Sequence, residues 1–248
     1  MLKEKSFTQP NIQIAGENAL IIYFNSESNN DASVKVQQAV QSLRHAMKHN
    51  VATDIIDLIP SYASILVVFN IYESNHHQIR NKLRQLLQSN VEKPVFDKDT
   101  PSLVELPVYY SAESGPDLVT IAEQNKLSIE QVIEIHHSQE YHVYAIGFAP
   151  GFAYLGEVNK KIATPRLNTP RMKVPKGAVA IADQQTAIYP KESPGGWNIV
   201  GLCPIDMFDV SSSPSMPIKV GDKVKFKRVC KDEFLALGGK LSRFGTPL

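Results

Sequence analysis

Between Gly147 and Pro204 the chain carries seven of its sixteen prolines and seven of its thirteen glycines, yet the same stretch holds Phe148, Phe152, Tyr154, Tyr189 and the only tryptophan, Trp197. Disordered Pro/Gly-rich sequence lacks such aromatics. Large rings supply apolar surface, while glycine and proline set special backbone angles. The window therefore predicts short strands joined by shaped loops, in a closed or nearly closed β architecture.

The segment before it reads differently. Ala19-Leu20-Ile21-Ile22-Tyr23-Phe24 has strand character, and Val36, Val40, Leu43 and Met47 recur at helical spacing up to Asn50, a helix stop. Val51–Ile59 and Ser64–Ile71, split by Pro60-Ser61-Tyr62-Ala63, predict a hairpin, and Ile79, Leu83, Leu86 and Leu87 a second amphipathic helix. Residues 1–95 are thus expected to form an α/β sandwich domain, with the polar, proline-bounded run Pro94–Pro101 as linker. The second domain, residues 103–248, opens with a strand over Leu103–Tyr110 and a short helix at Pro116-Asp117-Leu118. Ser128-Ile129-Glu130-Gln131 has capping-box spacing, with a helix from about Ile129 to His137. Val220-Gly221-Asp222 marks a turn before a strand that alternates Val224 and Phe226 with Lys223, Lys225 and Lys227.

Charge and composition narrow the function classes. Twenty-six basic against twenty-five acidic residues give a formal charge of +1, which offers no general attraction to nucleic acid or a membrane surface. No h-region follows Met1-Leu2-Lys3-Glu4-Lys5-Ser6, and no apolar run is long enough for a span. Two cysteines, Cys203 and Cys230, fit neither a disulfide framework nor a zinc site, so the expected compartment is the cytoplasm. Nucleotide-loop, dinucleotide, HExxH and GxSxG signatures are absent.

Among the histidines, His45 and His49 stand one helical turn apart with no third ligand, and His76-His77 precedes a helix. His136, His137 and His142 lead into the aromatic window and are candidates for a general base as well as for a buried structural role. Met172-Lys173 lacks the flanks of a biotinylated hairpin. In Thr164-Pro165-Arg166-Leu167-Asn168-Thr169-Pro170-Arg171 two Pro-Arg pairs recur five residues apart. Proline stiffens the backbone beside each guanidinium, which suits an anion clamp; ordinary ion pairs are the alternative. Adjacent glycines in Ser193-Pro194-Gly195-Gly196-Trp197-Asn198 let backbone amides approach a ligand, or simply form a turn that packs Trp197.

Gly147-Phe148-Ala149-Pro150-Gly151-Phe152-Ala153-Tyr154-Leu155-Gly156, the paired Pro-Arg tract, and Gln185-Thr186-Ala187-Ile188-Tyr189-Pro190 with Ser193-Pro194-Gly195-Gly196-Trp197 together resemble one family. It is that of the B-type component of 5-oxoprolinase, also described as allophanate hydrolase subunit 1, as carboxyltransferase subdomains C and D, and as the KipI-type inhibitor of a sporulation kinase. Order and spacing agree from about Tyr110 to Asp209, and more weakly across the N-terminal half.

The resemblance implies an α+β protein, with an N-terminal α/β domain and a C-terminal cyclophilin-like β-barrel. It implies a bacterial protein that forms a hetero-oligomer with the C-type component of 5-oxoprolinase and works with the A-type component to open 5-oxo-L-proline to L-glutamate, using ATP held with its partners. No metal or biotin is expected on this chain, and no activity without the partner. Arg166 and Arg171 would clamp anionic groups, with His136 as proton acceptor. Phe148, Pro150, Gly151, Tyr154, Gln185, Tyr189, Ser193, Gly195, Gly196 and Trp197 would line the substrate site. Two further readings come with the family: binding to a sensor histidine kinase, and a role in the carboxyltransferase of urea carboxylase. Three departures stand out. The family's Gly-Arg-Thr-Pro is Gly201-Leu202-Cys203-Pro204, its double glycine after a tyrosine is Ser111-Ala112, and its Gln-Thr-Gly is Gln185-Thr186-Ala187. They suggest a diverged paralogue as a further alternative.

Overall fold

The computed structural model describes residues 11–24, 29–89, 102–241 and 244. The expected linker, Pro94–Pro101, lies outside the described residues. The chain divides into two compact units, residues 1–100 and 101–248.

The first unit comprises β1 (Asn11–Ile14), β2 (Ala19–Tyr23), α1 (Asn29–Lys48), β3 (Ile55–Pro60), β4 (Ser64–Phe69) and α2 (His76–Ser89). Its four strands form one antiparallel sheet in the order β1-β2-β4-β3. Period-two alternation sends Leu20, Ile22, Ile65, Val67 and Phe69 to one face, where Val36, Leu43, Ile79 and Leu83 of the helices cover them. The expected hairpin is present, closed by Ser61 N–H donating to the Ser64 carbonyl at 2.8 Å. Its first strand starts four residues later than expected. Asn50 adopts a left-handed φ of 58°, and the amides of Val51 and Ala52 turn back to the Ala46 carbonyl, so this stretch ends the helix instead of entering the sheet.

The second unit holds β5 (Leu103–Tyr109), α3 (Leu118–Asn125), α4 (Ile129–His137), β6 (Glu140–Ile146), β7 (Ala153–Gly156), β8 (Arg171–Val174), β9 (Ala178–Ala182), β10 (Gln185–Ile188), β11 (Ser193–Gly195), β12 (Asn198–Leu202), β13 (Lys223–Val229) and α5 (Lys231–Ala236). Seven strands close a barrel in the order β10-β7-β6-β13-β5-β12-β9, while β8 and β11 form a separate two-stranded ribbon. The capping box on α4 forms as expected: Gln131 N–H donates to Ser128 Oγ, and Ser128 N–H to Gln131 Oε1. Helix α5 has no counterpart in the expectations from sequence.

All seven barrel strands contribute to one apolar cluster, through residues such as Val108, Val143, Leu155, Ile181, Ile188, Val200 and Phe226, which identifies it as the interior. A second cluster takes the alternate positions of the same wall, Ala178, Ala180, Ala182 and Ala187, together with Phe152, Tyr189, Trp197, Val174 and Phe234. This is the outer face of β9 and β10. Its alanines leave room for aromatic rings to lie close against the wall, each buried ring contributing about 1.5–3 kcal/mol of apolar burial.

Candidate functional site

The outer aromatic cluster is built on Phe152. Its ring meets Phe148, Tyr154, Tyr189 and Trp197 edge-on, with centroids 5.3, 4.9, 5.3 and 5.7 Å away. A short loop presents it: Phe152 N–H donates to the Ala149 carbonyl, and Gly147 N–H to the Phe152 carbonyl. Within that loop Phe148 has φ 71° and is 69% exposed. A bulky residue in the left-handed region stores strain of about 1–3 kcal/mol. Gly151, φ 82°, lies so close to the next segment that a Cβ would sit 2.5 Å from the Met207 carbonyl oxygen. Between them runs an open apolar groove of about 480 Å³ lined by Phe148, Ala149, Pro150, Gly151, Phe208 and Met216.

Both Pro-Arg pairs reach this side of the barrel, and they differ sharply. Arg166 is exposed, with its guanidinium carbon 5.8 Å from the Trp197 ring centroid. Arg171 is 5% exposed; its Nη2 donates to Asp117 Oδ1 at 2.6 Å. The other oxygen of Asp117 accepts from the Ile199 amide at 2.6 Å, and the Asp117 amide returns a bond to the Ile199 carbonyl. The Nη1 atom of Arg171 is buried with no hydrogen-bond partner among the described residues. Arg171 therefore ties the ribbon to β12 as half of a buried ion pair, whereas Arg166 is the guanidinium that faces solvent.

The diglycine bend adjoins both arginines. Gly195 pairs with Arg171 across the ribbon, and Leu167 N–H donates to the Gly196 carbonyl at 2.7 Å. The hydroxyl of Tyr189 occupies the bend: a Cβ on Gly195 would sit 2.3 Å from it, and the Trp197 amide donates to it. Burial pushes the Tyr189 phenol up to about 12, against the opposing pull of Arg166. Ser193 lies two residues along the same ribbon strand, opposite Val174. Gln185 pairs with Gly156 and Ala182, four residues before Tyr189 and so about 13 Å along the strand at the usual rise.

His136 stands elsewhere. The sequence groups it with the arginines as proton acceptor, but the structure seals it in the barrel interior, 0% exposed and stacked on Phe226 at 4.9 Å. Its Nδ1 lies 2.8 Å from the Tyr110 hydroxyl and its Nε2 3.0 Å from Thr186 Oγ1, whose own proton goes to the Ala180 carbonyl. Thr186 and Ala187 point to opposite faces of β10, so the strand wall separates His136 from Trp197. Burial first, then the neighbouring His137, lowers the imidazole pKa to about 3. It is a neutral ring with both nitrogens engaged.

Three participants are not visible as site residues in the sequence. Phe152 lies within the Gly147–Gly156 motif but stands out from its neighbours only once the rings are seen to converge on it. Asn198 closes the segment read as a glycine bend, where no role falls to it. Asp117 reads as part of the start of a short helix; it stands at the N-cap of α3, yet its side chain caps nothing there because it is spent on Arg171 and Ile199, and no local pattern signals a partner 54 residues away. Of the three departures, Leu202 is 1% exposed within the outer cluster and Ala187 is fully buried there, so both serve packing. Ser111 instead joins Ser114 in the β5–α3 turn. Among the described residues no group of three or more His, Cys, Asp or Glu side chains could hold a metal ion, and no helix is long and apolar enough to cross a membrane.

Known proteins share this architecture. The family described as carboxyltransferase domain, subdomain C and D, matches residues 10–218. A protein of Bacillus subtilis (strain 168) named as the B subunit of 5-oxoprolinase is 34% identical over 235 residues, 91% of this chain and 95% of that protein. Among solved structures, TTHA0988 aligns with TM-score 0.73 and 29% identity over 93% of this chain; the chain spans about two fifths, 42%, of that protein's length. The K. lactis urea amidolyase aligns with TM-score 0.71 at 18% identity, over 95% of this chain and 16% of its own, a likeness of fold.

Proposed function

This chain belongs to the carboxyltransferase-domain family of subdomains C and D, and on that premise we propose that it is the B-type subunit of an ATP-dependent 5-oxoprolinase. In this reading it assembles with a C-type subunit, works with an A-type subunit, and turns 5-oxo-L-proline into L-glutamate in the cytoplasm. Its domains are residues 1–95 and 103–248, the second a cyclophilin-like barrel. The observation that carries the reading is the exposed Arg166 guanidinium fixed over Trp197 on an otherwise apolar wall. A small ring bearing one carboxylate needs those two things: an apolar face for the ring and a planar cationic fork for the carboxylate.

Lactam opening is slow because amide resonance resists attack by water. Transfer of the terminal phosphoryl group of ATP to the amide oxygen releases ADP and makes the ring carbon electrophilic; water adds to that carbon, the C–N bond breaks with the amine leaving as it takes up a proton, and a second water releases phosphate from the resulting acyl phosphate to give L-glutamate. The part of this chain is orientation: Arg166 holds the carboxylate, and the exposed Phe148 and half-buried Tyr154 confine the ring, backed by the buried Trp197. Tyr189 and Gly195 set the bend from behind, Arg171 holds the ribbon through Asp117, and His136 braces the barrel. A single guanidinium beside apolar rings does not fit a triphosphate, so this reading assigns ATP to the partner subunits.

The test is co-purification with the sister subunits followed by ATP hydrolysis measured with and without 5-oxo-L-proline. Stimulation by the lactam supports the reading; no stimulation under any pairing contradicts it. A second reading, inhibition of a sensor histidine kinase by docking, is favoured by the groove beside the exposed Phe148 and Phe208. It predicts kinase inhibition that survives Arg166→Ala.

A further inference from the structure

We propose that Asn198 is a positioning residue which, through the Pro165–Arg166 peptide unit, fixes that guanidinium over Trp197. The inference rests on the reading of Arg166 as the ligand-facing cation. Asn198 is 1% exposed and opens β12. Its Nδ2 donates to the Pro165 carbonyl at 2.8 Å and to the Ile181 carbonyl at 3.2 Å, so both amide protons are committed. The second bond stays within the barrel, where Asn198 already faces Ile181 in register. The first reaches out of the barrel to the residue immediately before Arg166. A residue that only closed the sheet would have no need of it.

The other side of Arg166 is tied as well. Leu167 N–H donates to the Gly196 carbonyl at 2.7 Å, and two residues upstream of Arg166 the Thr164 carbonyl accepts from Asp183 N–H at 2.7 Å. The backbone at Arg166 is thus clamped before and after, while its side chain stays exposed. A free arginine samples many rotamers; anchoring its backbone beside an aromatic face removes much of the sweep that would otherwise be lost on binding an anion. Trp197 and Asn198 are consecutive, so one dipeptide supplies both the ring under the guanidinium and the clamp that holds it there.

Because Trp197 is the only tryptophan, its fluorescence reports on this spot alone. The measurement is the ratio of iodide to acrylamide quenching of the Trp197 fluorescence lifetime in the full chain, read at the edge of the indole that stays accessible in a residue 6% exposed: iodide is drawn by the positive charge over the indole, whereas neutral acrylamide reads exposure only. Removing one unit charge about 6 Å away should lower that ratio by about twofold after salt screening. Arg166→Ala is expected to show this drop. Asn198→Ala is expected to show the same drop although the arginine is still present, and the double variant no more than Arg166→Ala alone. A wild-type ratio in folded Asn198→Ala, or additive drops in the double variant, overturns the proposal. Should Asn198→Ala fail to fold, Asn198→Leu keeps the side-chain volume without either donor: a ratio lowered as in Arg166→Ala supports the clamp, and a wild-type ratio overturns it. No substrate is present in this experiment. Failure of the substrate reading appears elsewhere, as unaltered turnover in Arg166→Ala.

Discussion

The guanidinium of Arg166 lies 5.8 Å from the centre of the Trp197 indole, and the two are joined through the backbone as well: Leu167 N–H bonds to the Gly196 carbonyl, between the residues that adjoin them. Cation and ring are therefore held as a unit on the outer wall of the barrel. The tract that carries the first and the bend that carries the second come from sequence segments some thirty residues apart.

Gly195 is required by contact, since a methyl there would meet the Tyr189 hydroxyl at 2.3 Å. Tyr189 is 2% exposed and rigid, so the bend must yield. Gly195→Ala is expected to destabilise the protein by about 1–3 kcal/mol, as overpacking does, and to shift Trp197 emission. Denaturant unfolding and the emission spectrum check both.

Asp117 satisfies two buried donors at once, Arg171 Nη2 and the Ile199 amide. Asp117→Ala leaves a buried guanidinium without its counter-charge, a loss of about 3–5 kcal/mol. The midpoint of urea unfolding should fall accordingly. Replacing both partners, Asp117→Leu with Arg171→Met, should be milder than Asp117→Ala alone.

His136 is neutral in the fold, its pKa lowered to about 3 from 6.5 by burial and then by His137. The unfolded chain takes up the proton first, so the stabilisation is complete above about pH 6.5 and is lost progressively as pH falls toward 3, by up to roughly 1.4 kcal/mol per pH unit. His136→Gln, which keeps a donor and an acceptor for Tyr110 and Thr186, should flatten the dependence of unfolding free energy on pH between 6.5 and 4. An unchanged slope would mean that this imidazole does not govern acid stability.

Much of this was legible in the sequence because it is local. Helical periodicity marks α1 and α2, the Ser128–Gln131 box marks α4 and where it begins, and the density of glycine, proline and aromatics marks the window that carries the outer wall. What was not legible depends on which face of one strand a residue takes. Thr186 and Ala187 are neighbours, yet one joins His136 inside the barrel and the other joins Trp197 outside it. Nothing in the order of adjacent residues reveals that a wall runs between them. The two arginines illustrate the same limit: both follow a proline, but Arg171 meets a buried carboxylate, from a turn far earlier in the chain, while Arg166 meets an aromatic face.

The most direct test of substrate binding on the outer wall is Arg166→Ala in the complex with the sister subunits, with 5-oxo-L-proline-dependent ATP hydrolysis followed across substrate concentration. Arg166 is exposed, so stability should stay within about 0.5 kcal/mol of wild type. Loss of one charge-assisted pair with the substrate carboxylate, worth about 1.5–3 kcal/mol, predicts a fall in kcat/KM of roughly 10- to 100-fold, carried mainly by a higher KM. Kinetics indistinguishable from wild type would contradict the assignment of the outer wall as the place where substrate is held.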